Sequence, residues 1–217
     1  MSATMTDSKT KFSRALIGIA AVGAVAVTAT ACSSSSKSDK PVADIKSLSG
    51  QTTAVKLDSG FTDALTALKL TPGVVGTAKL TDGSLVFPIT GGNVTYYKPG
   101  SVNPFVQGII HHADSGFSLS AGGTKVELTN FDIDPGASKL YGDVSANGAS
   151  VVKHAYLFNL DGTTLKGLQT EGDTAILEGT KVEISPDAAD LLGKTFNTDA
   201  VKAGLLVGIA KITVNTK

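Results

Sequence analysis

The sequence KVELT at positions 125–129 alternates polar and apolar residues, which is the period of a β-strand with one buried face. Val126 and Leu128 are its apolar members, so both are expected on the same side of a sheet. Around this stretch the chain contains further short runs rich in strand-forming residues, such as AILE at 175–178. The pattern indicates a domain built from β-strands.

Short turns with glycine separate these runs. The sequences TDGS at 81–84 and SAGG at 120–123 are typical hairpin connections, and DPG at 134–136 is another turn. Strand-like runs, including those near 104–111 and 116–120, recur about every 8 to 12 residues, as in sandwiches and barrels. We therefore predict an all-β fold: an antiparallel β-sandwich or barrel of about nine or ten strands with two short packing helices.

Two segments carry helix signals. Ser59 occupies the position of a cap before Phe61 and Leu65, whose spacing places them on one helix face. Ser185 precedes Pro186, and proline is favoured at the first position of a helix. Both helices are expected to pack on the sheet.

Residues 1–31 have the plan of a lipoprotein signal peptide. Three basic residues precede an apolar segment at 15–27, which is shorter than the ~20 residues that a membrane-spanning helix needs. The sequence ATA at 29–31 stands directly before Cys32, as in a lipobox. Cys32 is the only cysteine, so a disulfide within the chain is excluded, and we expect cleavage before Cys32 and lipidation of its thiol. The alternatives are an ordinary secreted protein with a free thiol or an intermolecular disulfide.

The remaining chain divides into two parts. Residues 32–50 comprise the lipidated cysteine and a polar, flexible tether, and residues 51–217 form a single β-rich extracytoplasmic domain. Two acyl chains hold a protein stably, so lipid on Cys32 predicts a protein anchored to the outer face of the cell membrane. Arg14 is the only arginine and lies in the signal peptide, while the lysines are scattered, which argues against nucleic acid as a partner.

The chain lacks the motifs of common hydrolases. It has no Gly-x-Ser-x-Gly elbow, no free cysteine nucleophile and no His-Glu-x-x-His helix, so we predict no catalytic residues and no enzymatic activity. The three histidines are His111, His112 and His154. Neighbours in a strand point to opposite faces, so at most one of the adjacent pair can join His154. A tight zinc site needs three or four ligands, and we therefore predict no metal site.

Two tyrosines lie within predicted strands, Tyr141 and Tyr156. A phenolate can ligate haem iron, and a histidine hydrogen bond can tune such a ligand. Alternatively, tyrosines at the rim of a sheet simply extend their hydroxyl groups into solvent. The residues alone leave both interpretations open.

Several strings resemble secreted actinobacterial proteins that carry the HtaA-type haem-uptake domain. They are LVFPITGG at 85–92, GIIHH at 108–112, SGF at 115–117, VELTNFDID at 126–134, LYGDV at 140–144 and LFNLD at 157–161. The resemblance implies an all-β domain at the cell surface, which in some members binds haem through a tyrosine assisted by histidine. Those members open with an aromatic, basic segment that supplies the tyrosine. This chain has FTDAL at 61–65 there and no tyrosine before Tyr96.

These observations predict a non-catalytic, membrane-anchored surface lipoprotein whose β-domain binds a small ligand or a partner in the cell envelope. Haem is one candidate ligand, and no cofactor is assigned with certainty. If haem binds, the candidate ligand-binding residues are His111, His112 and Tyr141, because that stretch best matches the family. The alternative is a structural or adhesive envelope protein without a small-molecule ligand. A deep apolar cavity with a tyrosine or histidine at its mouth would favour ligand binding.

Overall fold

The computed structural model of the protein describes residues 40–217. The predicted signal peptide at 1–31, the lipidation site Cys32 and residues 33–39 of the predicted tether lie outside the described residues. Within the part of the chain that is described, no helix is long and apolar enough to cross a membrane.

The described residues form thirteen strands and two helices. In chain order they are β1 (Ala43–Ile45), β2 (Gln51–Leu57), α1 (Ser59–Ala67), β3 (Thr71–Gly76), β4 (Lys79–Thr81), β5 (Ser84–Pro88), β6 (Gly91–Tyr96), β7 (Val106–Ala121), β8 (Thr124–Asp134), β9 (Lys139–Ala146), β10 (Ala149–Asp161), β11 (Gln169–Glu171), β12 (Thr174–Ile184), α2 (Pro186–Phe196) and β13 (Leu206–Asn215).

All strands belong to one antiparallel sheet that curls into a half-barrel. Its order is β1-β6-β7-β8-β9-β10-β12-β13-β2-β5-β4, with β11 paired to β12 and β3 paired to β7. The prediction of an all-β, antiparallel fold is confirmed. The strand number exceeds the expected nine or ten because β1, β6 and β11 were not predicted: β1 and β11 have only three residues each, too few to show alternation, and β6 begins with two glycines. β1 also lies within the range assigned to the tether.

One strand replaces two predicted ones. The runs near 104–111 and 116–120 belong to the single strand β7. Its register with β8 shifts between His112 and Gly116, where Asp114 has a φ of 54°. This irregularity bends the strand without ending it.

The alternation in KVELT reflects burial as expected. Val126 and Leu128 face the interior, and a register shift around Asn130, whose φ is 53°, precedes the next interior residue, Phe131. Asp132 therefore points outward. The same strand thus contributes apolar side chains to the core and a carboxylate to the outer face.

The two helices pack at one end of the curled sheet. Ser185 caps α2 as predicted: its hydroxyl oxygen accepts from the Ala188 N–H at 3.0 Å and donates to the Tyr156 carbonyl at 2.7 Å. The prediction that Ser59 caps α1 is wrong, because the cap is Asp58, whose carboxylate accepts from the Gly60 N–H at 2.8 Å. Asp58, one residue before Ser59, thus accepts from a free N–H group at the start of α1, as the serine hydroxyl was expected to do.

Candidate functional site

A cavity of about 380 Å³ lies inside the curl of the sheet. This volume is within the range of about 300–1,000 Å³ that is usual for small-molecule sites. Phe87, Phe131, Leu160, Val182 and Ile212 are among its aliphatic and aromatic lining residues. No residue of α1 or α2 contributes to the lining, and Phe117 and Phe158 separate the cavity from a small pocket beneath the two helices.

The cavity lining contains no charged residue among the residues described. Its polar side chains are limited to hydroxyl, amide and imidazole groups, which belong to Thr53, Tyr96, Asn103, His112, Ser138, Thr163 and Thr180. A charge moved into such surroundings would lose its hydration without gaining a partner. The interior therefore suits an uncharged, apolar molecule or the apolar part of a larger one.

His112 and Thr53 form a buried hydrogen-bonded pair on the cavity wall. Their side chains belong to residues that are 1% and 2% exposed, and Nε2 of His112 lies 2.9 Å from Oγ1 of Thr53. Nδ1 of His112 lies 3.4 Å from the Phe131 carbonyl, which can only accept. Nδ1 therefore carries the proton, and Nε2 accepts from the threonine hydroxyl. Burial lowers the pKa of His112 from 6.5 to about 4, so the imidazole is neutral at neutral pH.

The open end of the cavity lies between β1 and two loops, at 97–105 and 162–168. Four lining residues are exposed: Asn103, Gly162 and Thr163 belong to these loops, and Ser138 belongs to the turn between β8 and β9. Asp161 holds the second loop by accepting from the Thr163 N–H at 2.8 Å, and this bond helps to lower the pKa of Asp161 to about 2. We call this open end, with β1 and the two loops, the mouth.

Tyr96 spans the mouth from β6. Its ring packs edge-on against Phe105, with 5.8 Å between the ring centroids. Its hydroxyl oxygen accepts from the Leu168 N–H at 3.4 Å. Tyr96 thus connects the two loops over the cavity. A tyrosine at the mouth of an apolar cavity is the arrangement that favours a ligand-binding role.

A second group of polar residues lies on the outer face of the sheet. The registers of β7 to β10 place His111, Asp132, Tyr141 and Tyr156 opposite one another in a row across four strands. Nδ1 of His111 lies 2.6 Å from Oδ1 of Asp132. Partial burial raises the pKa of Tyr156, so its phenol is protonated at neutral pH. We call this group, together with His154, the outer row.

His154 completes the outer row from an unusual backbone conformation. Its φ of 50° is in the left-handed region, and its N–H donates to Oδ1 of Asp143 at 3.1 Å. The imidazole stacks on Tyr141, with 4.6 Å between the ring centroids and 8° between the planes. Nε2 lies 3.4 Å from Oδ2 of Asp132. Asp132 therefore lies between two imidazoles.

These contacts do not amount to a metal centre. Among residues 40–217, no three or more histidine, cysteine, aspartate or glutamate side chains are placed to hold a metal ion. His111 joins His154 through Asp132, whereas His112 points to the other face, as the strand geometry requires. The outer row can form hydrogen bonds and stack on a flat partner.

The fold has solved relatives, although comparison with protein-family models and with curated proteins finds no match. The C-terminal domain of HtaA from Corynebacterium glutamicum superposes with a TM-score of 0.53 at 12% identity, covering 79% of this chain and 98% of that domain. The domain has an HtaA-type fold. A domain-swapped dimer variant of that HtaA domain has a TM-score of 0.47 at 13% identity, covering 73% of this chain and 92% of the other.

The HtaA-type fold separates the three residues predicted to bind a ligand. His111 and Tyr141 belong to the outer row, while His112 lines the cavity on the opposite face of the sheet. Sequence reasoning missed Thr53 and Tyr96 as cavity residues. Thr53 precedes His112 by 59 positions, and only the paired strands of the fold bring them together.

Proposed function

We propose that the chain is a lipid-anchored extracytoplasmic protein whose HtaA-type domain binds an apolar small molecule in its interior cavity. The cavity itself is the observation that carries this proposal. A structural protein with no ligand has no need of an unfilled interior, because an empty cavity forfeits packing contacts. Small apolar cavities of about 150 Å³ already stay dry and bind benzene, and this one is larger.

The anchor is part of the same proposal. The signal peptide plan at 1–31 and the lipobox-like ATA before Cys32 support export followed by lipidation. Two acyl chains on Cys32 would hold the protein at the outer face of the cell membrane. Labelling of wild-type cells and Cys32→Ser cells with a radioactive fatty acid tests this part: the wild-type chain becomes labelled and the variant does not.

A titration with N-phenylnaphthylamine tests binding in the cavity. This uncharged fluorophore brightens in apolar surroundings, so saturable brightening with one molecule per chain is the expected result. Ile212→Trp places a bulky indole inside the cavity, since Ile212 lines it from β13, and should weaken the binding, so that more fluorophore is needed for the same brightening. Lys211→Trp is the matched control, because Lys211 is exposed and does not line the cavity. Equal brightening in all three proteins would place the fluorophore elsewhere and refute the proposal.

Haem at the outer row is the second candidate function, and the stack of Tyr141 on His154 favours it. In the haem-binding members of the family that the sequence resembles, a tyrosine assisted by histidine holds the iron. A haemin titration followed through the Soret band separates the sites. A saturable shift that Tyr141→Phe abolishes supports the outer row, whereas a shift that only Ile212→Trp weakens supports haem in the cavity. A flat titration rules out both haem sites.

A further inference from the structure

We propose that the occupant of the cavity is an acyl chain of a lipid drawn from the membrane that anchors the protein. This inference rests on the proposed function and specifies its ligand. The position of the mouth, the length of chain that leads to it and the chemistry of the lining all favour this occupant.

The mouth is where the polypeptide enters the domain. Ala43 and Ile45 of β1 both line the cavity, and β1 is the first strand of the described chain. The residue before it, Val42, is 62% exposed although its N–H donates to the Tyr96 carbonyl at 2.8 Å. An exposed valine next to the opening gives this end of the domain an apolar entrance.

The chain between the anchor and the mouth is short. Ala43 lies 11 positions after Cys32. Whatever conformation those residues adopt, a chain of that length spans at most about 40 Å, at 3.3 to 3.6 Å per residue. With lipid on Cys32, the mouth therefore stays within about 40 Å of the bilayer surface and can reach it. Had the chain entered beside α1 and α2, the same tether would hold the opposite end of the domain near the membrane.

The lining matches an alkyl chain rather than a charged or strongly polar ligand. The hydroxyl of Thr53 and the imidazole of His112 satisfy each other, and neither requires a polar group from the ligand. No charged side chain lines the cavity within the described residues. Each methylene transferred from water to such a lining gains free energy through the hydrophobic effect. A polar headgroup would remain at the mouth, where Asn103 and Thr163 are exposed.

We reject the acyl chains on Cys32 itself as the occupant of the cavity. A single acyl chain holds a protein only marginally and reversibly, and stable anchoring takes two. If the cavity sequestered one of the two chains of a diacylglycerol on Cys32, the remaining chain would anchor the protein poorly. A separate membrane lipid leaves the anchor intact.

A fluorescence assay tests both whether the protein takes up a lipid from the membrane and whether that lipid enters the cavity. The mature, lipidated protein is added to phosphatidylcholine vesicles in which a small fraction of the lipid carries a pyrene-labelled acyl chain. Moving a labelled chain into the cavity isolates one pyrene, so excimer emission falls and monomer emission rises. We expect this change for the wild type and for Lys211→Trp, and a smaller change for Ile212→Trp, whose indole occupies part of the cavity.

The outcomes distinguish a failure of the lipid inference from a failure of the proposed function. If the excimer emission stays constant with wild-type protein while N-phenylnaphthylamine still binds in the cavity, the lipid inference fails and the proposed function stands. If neither probe binds, both fail. If the full mature chain with Cys32→Ser takes up pyrene lipid and the lipidated wild type does not, the protein's own acyl chains fill the cavity, and the inference is overturned.

Discussion

The buried pair of His112 and Thr53 predicts a specific loss of stability in acid. His112 has a pKa of about 4 in the folded protein and 6.5 as its ordinary value. Between these values the unfolded chain binds a proton that the folded chain excludes, so the free energy of unfolding falls as the pH falls through 6.5 towards 4. From about pH 7.5 to about pH 5, this one group contributes a loss of about 2 kcal/mol, at about 1.4 kcal/mol per pKa unit.

Urea unfolding of the wild type and of a double variant, Thr53→Val with His112→Leu, measures this contribution. Replacing both partners by apolar groups removes the titrating group and leaves no unpaired hydroxyl in the core. The remaining groups titrate equally in both proteins, so the double variant should lose about 2 kcal/mol less than the wild type over the same pH interval. Parallel pH dependence of the two proteins would show that His112 titrates normally, and that water, rather than apolar surface, surrounds it.

Three further predictions concern the cap of α2, a closely packed glycine in β9 and the tyrosine at the mouth. Ser185→Ala removes the cap of α2 and should lower the free energy of unfolding by about 1 to 2 kcal/mol in urea unfolding; an unchanged value would show that the cap does not stabilise the domain. Gly142→Ala places a Cβ 2.8 Å from side-chain atoms of Leu157 and should cost about 1 to 3 kcal/mol, while Gly167→Ala, which meets nothing within 4 Å, should be near neutral in the same assay. Tyr96→Phe removes the bond to the Leu168 N–H and should speed both entry and release of N-phenylnaphthylamine in stopped-flow measurements; unchanged rates would show that Tyr96 does not restrict the mouth.

The fold class was predictable because alternation depends only on local sequence. KVELT at 125–129 alternates as a half-buried strand does, and the capped segment at Ser185 starts a helix as its residues require. Very short strands such as β1 escape this reasoning, since three residues contain no period. β1 forms through its pairing with β6, a partner about 50 positions away in the chain.

The cavity was not predictable for a different reason. The alternation of polar and apolar residues places Phe131 and Ile212 on the inner face of the sheet. It is the same whether these side chains contact another side chain or line an open space. The opposite orientations of His111 and His112 followed from strand geometry, but their partners Asp132 and Thr53 depend on the register between strands. Sequence reasoning therefore found the histidines and missed the two separate surroundings in which they lie.

A crystal structure of the domain in complex with N-phenylnaphthylamine would test the cavity proposal directly. We expect one molecule inside the curl of the sheet, against Phe87, Phe131 and Ile212, with the mouth at β1 as its way out. A cavity filled by ordered water, with the fluorophore bound on the outer row or nowhere, would contradict it.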